Sequence, residues 1–143
     1  MLAKVGVKVD LLAQPKAQYF AKVLASGGYD TSFYLLGWTP GSFDSWNVLS
    51  NLENCRNEKG EGSPFNLGGY CNEEVDELTG KILVETDEEK RSDLIRQAYE
   101  ITTGEVAHIP LHQQGLAWGK SDVVDLVQRA DNQFMLYHVT VNR

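Results

Sequence analysis

His108 and His112 are the first residues to weigh for chemistry, because an extended segment would carry both imidazoles on one face. Imidazole is a good ligand for divalent metals, but a site needs three or four donors. None lies near this pair in sequence, and His138 is remote. Ordinary hydrogen-bonded histidines account for the set, so no metal site is expected. Carboxylates are plentiful at Glu73, Glu74, Glu77, Asp87, Glu88 and Glu89. They fall on helix starts and exposed faces, where the helix dipole and solvent explain them. Acid–base work would need two of them to converge in a cleft. Neither Cys55 nor Cys71 sits in a nucleophile setting. The chain has no Gly-x-Ser-x-Gly elbow, no phosphate-cradling Gly-Lys-Ser/Thr loop and no Gly-x-Gly-x-x-Gly fingerprint. Neither catalysis nor a cofactor is expected.

One segment remains, running from Gly37 through Trp38, Thr39, Pro40, Gly41, Ser42, Phe43, Asp44, Ser45 and Trp46 to Asn47. It combines two tryptophans, an aspartate, hydroxyls and free backbone. That mixture suits a pocket needing apolar stacking and a few oriented hydrogen bonds. Trp38, Thr39, Pro40, Gly41, Asp44 and Trp46 are the expected ligand-binding residues. The plainer reading is that the tryptophans cover the core. It applies most to Trp46, which is at helical spacing from Leu49.

The elements around this segment must position it. Val5, Val7, Val9 and Leu11 alternate with polar residues or glycine, which predicts a strand over 5–12. Pro15 suits a first helical turn, Tyr19, Phe20, Val23 and Leu24 recur at helical spacing, and Gly27-Gly28 ends the helix. Residues 31–38 include the apolar run Phe33-Tyr34-Leu35-Leu36, which predicts a strand buried on both faces. Strand, helix and strand with short links make a βαβ unit, and ligands bind beyond the carboxyl ends of such strands. Residues 37–69 read as a long loop with a short helix near 45–52. Asn72 caps a helix with Val75, Leu78, Ile82 and Leu83 inside. Thr86 to Glu89 is a capping box for another, with Leu94, Ile95, Ala98, Ile101 and Thr102 inside and Gly104 near its end. Residues 108–113, 116–119 and 134–141 read as strands, and the period of Val123–Val127 is undecided. The fold class expected is α/β, a mixed sheet flanked by helices.

The charge balance narrows the partners. Twenty acidic residues against 13 basic give a net charge of −7 over 143 residues. Nucleic acid and anionic lipid both demand the opposite sign. A composition 42% apolar and 23% charged is that of one globular domain, residues 1–143. No apolar run approaches the roughly 20 residues of a membrane helix. Met1 stands almost on the first strand-like segment with no leader before it, so the expectation is that the chain begins inside a larger protein. Cys55 and Cys71 lie in a loop rich in Asn, Gly and Glu. They are either two separate thiols or one bridge closing that loop.

Taken in order, several stretches resemble one family. They are the opening Leu2 to Val9, Tyr34-Leu35-Leu36-Gly37-Trp38, the loop with Asp44, and Asn66-Leu67-Gly68-Gly69-Tyr70-Cys71-Asn72. Val75-Asp76-Glu77-Leu78, Glu85 to Arg91 and His108-Ile109-Pro110-Leu111-His112 continue the set. Across nearly the whole chain it resembles the peptide and nickel class of ABC-importer solute-binding proteins, family 5. The resemblance implies a type II periplasmic-binding-protein fold, in which this chain is most of the C-terminal lobe, a three-layer-like unit that lacks its N-terminal lobe. It implies a periplasmic protein that captures a peptide, an opine or another small solute between two lobes and delivers it to an ABC permease. The Gly-Trp turn matches at Gly37 and Trp38. Many peptide-binding members carry an aspartate three residues later that pairs with the ligand's amino end; here Gly41 stands there, and Asp44 resembles a later aspartate of the loop. The oxidising compartment implies a Cys55–Cys71 disulfide. Two other functions stay open: a hydrolase using Asp44 and a histidine, and a sensor or chaperone built on the same lobe.

Overall fold

A computed structural model describes residues 2–142. Its centre is a helical hairpin. Helix α3, Glu73–Val84, packs against helix α4, Glu88–Gly104, across a three-residue link. Asn72 caps α3, its side-chain oxygen accepting from the Glu74 and Val75 amides. At α4 the cap is Asp87, not Thr86: Asp87 accepts from the Lys90 amide, and Glu85 accepts from the Thr86 and Asp87 amides. A carboxylate at the cap position both fills an orphan donor and faces the positive end of the dipole, so it displaces the threonine.

The core is formed by Leu49, Val75, Leu78, Ile82 and Ala98, with Trp46, Leu94, Ile95, Tyr99 and Ile101 packed around it. The predicted stripes of α3 and α4 supply most of it, except that Leu83 is exposed. The expected short helix is present as α2, Ser45–Val48, continuing into a π-helical turn over Leu49–Glu53. Helix α1, Lys16–Val23, follows Pro15, and Gly28 closes the next turn in the left-handed region at φ 72°.

The sheet is where structure and expectation part. Among the described residues the only strands are β1, Val124–Asp125, and β2, Thr140–Val141, an antiparallel pair. The undecided stretch 123–127 thus contributes β1, and only the end of 134–141 is a strand. Leu136–His138 is a 3-10 turn. Residues 7–15 and 31–38 lie outside helices and ladders, and so do 108–113 and 116–119, so the predicted βαβ unit and the mixed sheet are not formed here. The physical reason is lateral. A strand exists only with a neighbour to complete its hydrogen bonds, and period-two patterning records the tendency without supplying that neighbour. Val5 at 75%, Leu11 at 90% and Leu35 at 71% exposure leave these apolar side chains uncovered among the described residues.

The 37–69 loop is held rather than loose. Cys55 and Cys71 form a disulfide. The Cys55 amide donates to Asp76 Oδ1 on α3 at 2.9 Å, and the Thr79 hydroxyl lies 2.9 Å from Asn54 Oδ1. Buried Asn66 donates to the Asn54 and Tyr70 carbonyls and accepts from the Tyr70 amide. Gly62, at φ 99°, has no room for a Cβ against the Cys55 carbonyl.

Candidate functional site

The Gly37–Asn47 segment runs into α2 and contains its first residues, Ser45 to Asn47. Trp38 is half-buried. Its indole N–H donates to Asn47 Oδ1 at 2.9 Å, and its ring packs on Phe65 at 5.0 Å between centroids, tilted by 58°. The ring is thereby fixed at its polar edge and on one neighbour. Beside it Thr39 and Gly41 are exposed, Pro40 is half-buried, and a Cβ at Gly41 would meet nothing within 4 Å. Trp38 to Gly41 therefore present an aromatic ring, a hydroxyl and open backbone.

Asp44 and Trp46 are placed differently. Phe43, in the left-handed region at φ 54°, turns the chain so that Asp44 caps α2 by accepting from the Trp46 amide at 2.8 Å. Both Asp44 oxygens also accept from the Arg91 Nη2 group at 2.9 Å. Those hydrogen bonds hold the Asp44 carboxyl below the ordinary carboxylate range. Arg91 in turn donates from Nε to the Ile82 carbonyl at 3.1 Å, near the end of α3. Trp46 packs against the core cluster. Asp44 and Trp46 thus form the base of the segment, while Trp38 to Gly41 form its open part.

Sequence reasoning singled out both tryptophans but passed over the residues that place them. Asn47 and Phe65 hold Trp38, Arg91 holds Asp44, and Tyr99 donates to the Ser45 carbonyl at 3.3 Å. Asn47 had a readable signal, lying nine residues from Trp38 within the same aromatic segment. Arg91 had none, because its pairing spans 47 residues of chain.

The histidines do not come together as ligands. His108 is bound to Tyr34 and faces Glu53, while His138 stacks edge-on against Tyr137. Among the described residues no group of three or more His, Cys, Asp or Glu side chains is arranged to hold a metal ion. Among the described residues no helix is long and apolar enough to cross a membrane.

With this geometry in hand, similarity to known proteins is informative. Over 109 residues, 76% of the chain, it is 29% identical to "Di/tripeptide-binding protein 3" of Pseudomonas aeruginosa strain UCBPP-PA14. It is equally similar to the "Dipeptide-binding protein" of P. aeruginosa strain PAO1, and 28% identical to "Di/tripeptide-binding protein 1" of strain UCBPP-PA14. The matched stretch spans 19% of the length of each of these relatives. No family model matches the chain, and no solved structure does. All three relatives are named for binding dipeptides or di/tripeptides.

Proposed function

We propose that the chain is the ligand-facing part of an extracytoplasmic solute-binding protein serving an ABC importer. It captures a peptide or peptide-like solute and delivers it to a membrane permease. The observation that carries this reading is the 109-residue likeness to three proteins named for binding dipeptides or tripeptides. The Trp38 to Gly41 surface supplies what such a ligand needs: a fixed aromatic ring for apolar contact, and exposed backbone and hydroxyl groups for hydrogen bonds.

Trp38, Thr39, Pro40 and Gly41 are the ligand-facing set, with Asp44 and Trp46 forming their support. Gly41 leaves no carboxylate at the position where many peptide-binding members hold the ligand amine, so opines and end-modified peptides belong with free peptides in the substrate class. The uncovered apolar side chains of Val5, Leu11, Phe33 and Leu35 fit a lobe whose sheet and cleft are completed by the remainder of a longer protein. The Cys55–Cys71 disulfide fits an oxidising, periplasmic compartment.

Isothermal titration calorimetry of the protein in its natural full length against dipeptides, tripeptides, opines and sugars tests the reading. Saturable binding of a peptide or opine is expected. Heats indistinguishable from dilution across the panel would remove it.

A further inference from the structure

A buried polar chain lies outside the ligand-facing set. Glu53 ends the π-helical turn and is 6% exposed, and its Oε2 has no hydrogen-bond partner among the described residues. His108 Nδ1 is likewise buried without a hydrogen bond and stands 3.5 Å from Glu53 Oε1. On the other side of the ring, His108 Nε2 lies 3.3 Å from the Tyr34 hydroxyl. One imidazole thus spans from the helical unit to the extended segment that carries Trp38. We propose that Glu53, His108 and Tyr34 are positioning residues that register the Trp38 segment on the helical unit, with the His108 ring as the proton-sensitive link.

The chemistry follows from the two ring nitrogens. A neutral imidazole donates from one nitrogen and accepts at the other, whereas a protonated one donates from both. With Nδ1–H already facing Glu53, proton uptake at Nε2 gives the buried carboxylate a compensating charge, which a buried carboxylate requires. The same step makes the Tyr34 oxygen an acceptor from Nε2. The proton has access, because the His108 side chain is 30% exposed. Tyr34 then passes the change on. Its ring lies 3.6 Å from the position of a Gly68 Cβ, and the Trp38 ring rests on Phe65. Both aromatic rings therefore sit on one short stretch, Phe65 to Gly68.

The other titratable and charged groups facing the chain are silent near neutral pH. Tyr70 and Tyr99 face Glu53, and both hydroxyls are pushed up, chiefly by burial, then for Tyr70 by its hydrogen bond to Glu105, and in both by the Glu53 carboxylate. Arg56 and Tyr19 face Tyr34, and burial pushes the Tyr19 hydroxyl up. A change at Trp38 that follows the His108 ring signals therefore reports on the imidazole.

The consequence for ligand binding rests on Trp38 being ligand-facing; the coupling itself does not. The test uses ¹⁵N-labelled protein without ligand. The Trp38 indole N–H resonance, identified by its loss in Trp38→Phe, is followed from pH 5 to 8 together with the His108 ring signals, assigned by His108→Gln. The indole resonance is expected to move with the His108 midpoint. In Tyr34→Phe it stays flat while His108 still titrates. A flat Trp38 resonance in the parent protein, or one that still follows His108 in Tyr34→Phe, overturns the proposal. Tyr34→Phe removes one oxygen only, so the test stands even if His108→Gln does not fold. Intact coupling in a protein that binds no peptide would count against the functional reading alone.

Discussion

Arg91, in the first turn of α4, donates to both oxygens of Asp44, 47 residues earlier in the chain. Its Nε reaches the Ile82 carbonyl on α3. One guanidinium therefore joins α4, the end of α3 and the Asp44 cap of α2. The geometry is planar and pre-organised in a way that an ammonium cannot reproduce. Arg91→Lys is expected to lower stability by about 1–2 kcal/mol, the range for a charge-assisted hydrogen bond that is partly exposed. Chemical denaturation would measure the loss. An unchanged midpoint would show that solvent, not Arg91, satisfies Asp44.

Acid should expose the same contact. Asp44 is held low by Arg91, and Asp131 is held down to about 2 by Arg129. A carboxyl whose folded value lies below its unfolded value binds its proton more readily when unfolded. It therefore contributes stability above an unfolded value near 4, and the contribution disappears as pH falls through the folded value. Stability should be flat with respect to these two groups above about pH 5 and fall between about pH 4 and 2. Asp44→Asn should show a shallower decline than the parent protein over that window. Melting temperatures across the range would record it.

Helix α4 ends at a backbone position ill-suited to its residue. Val106 has φ 56°, its amide donates to the Thr103 carbonyl, and the Ala107 amide donates to the Thr102 carbonyl. This is a Schellman ending with a β-branched residue where glycine is favoured. The side chain is 62% exposed, so little packing opposes its removal. Val106→Gly is expected to raise stability by about 1 kcal/mol, as the relief of left-handed strain exceeds the added freedom of the unfolded chain. A lower melting temperature would contradict this.

The Cys55–Cys71 bridge closes a loop of 16-residue separation that also leans on α3 through Asp76 and Thr79. Replacing both cysteines by serine should cost about 3 kcal/mol on the chain-entropy account. Proteolysis between residues 56 and 70 should accelerate in the same variant. A loop that stays resistant would mean that Asn66 and Asp76 suffice to hold it.

The helices were legible in the sequence because each carries its own instructions. Asn72 and the 3.6-residue stripes of α3 and α4 specify termini and buried faces locally. The one-residue error at α4, where Asp87 caps in place of Thr86, arose between adjacent residues that can both cap. The strands were not legible to the same degree, since alternation at Val5 to Leu11 marks a pleat but names no partner. The site was half legible. Trp38 could be singled out by its glycine-flanked turn, yet the roles of Asp44 and Trp46 depend on Arg91 and the core, which only folding brings near.

The central claim is that Trp38 faces a peptide-like ligand. The most direct measurement is calorimetric titration of the full-length protein and its Trp38→Ala variant with the tightest-binding dipeptide, tripeptide or opine of the panel. An aromatic platform contributes about 1.5 kcal/mol or more to a bound ligand, so the variant should bind at least tenfold more weakly. Equal affinity in the two proteins would contradict the account.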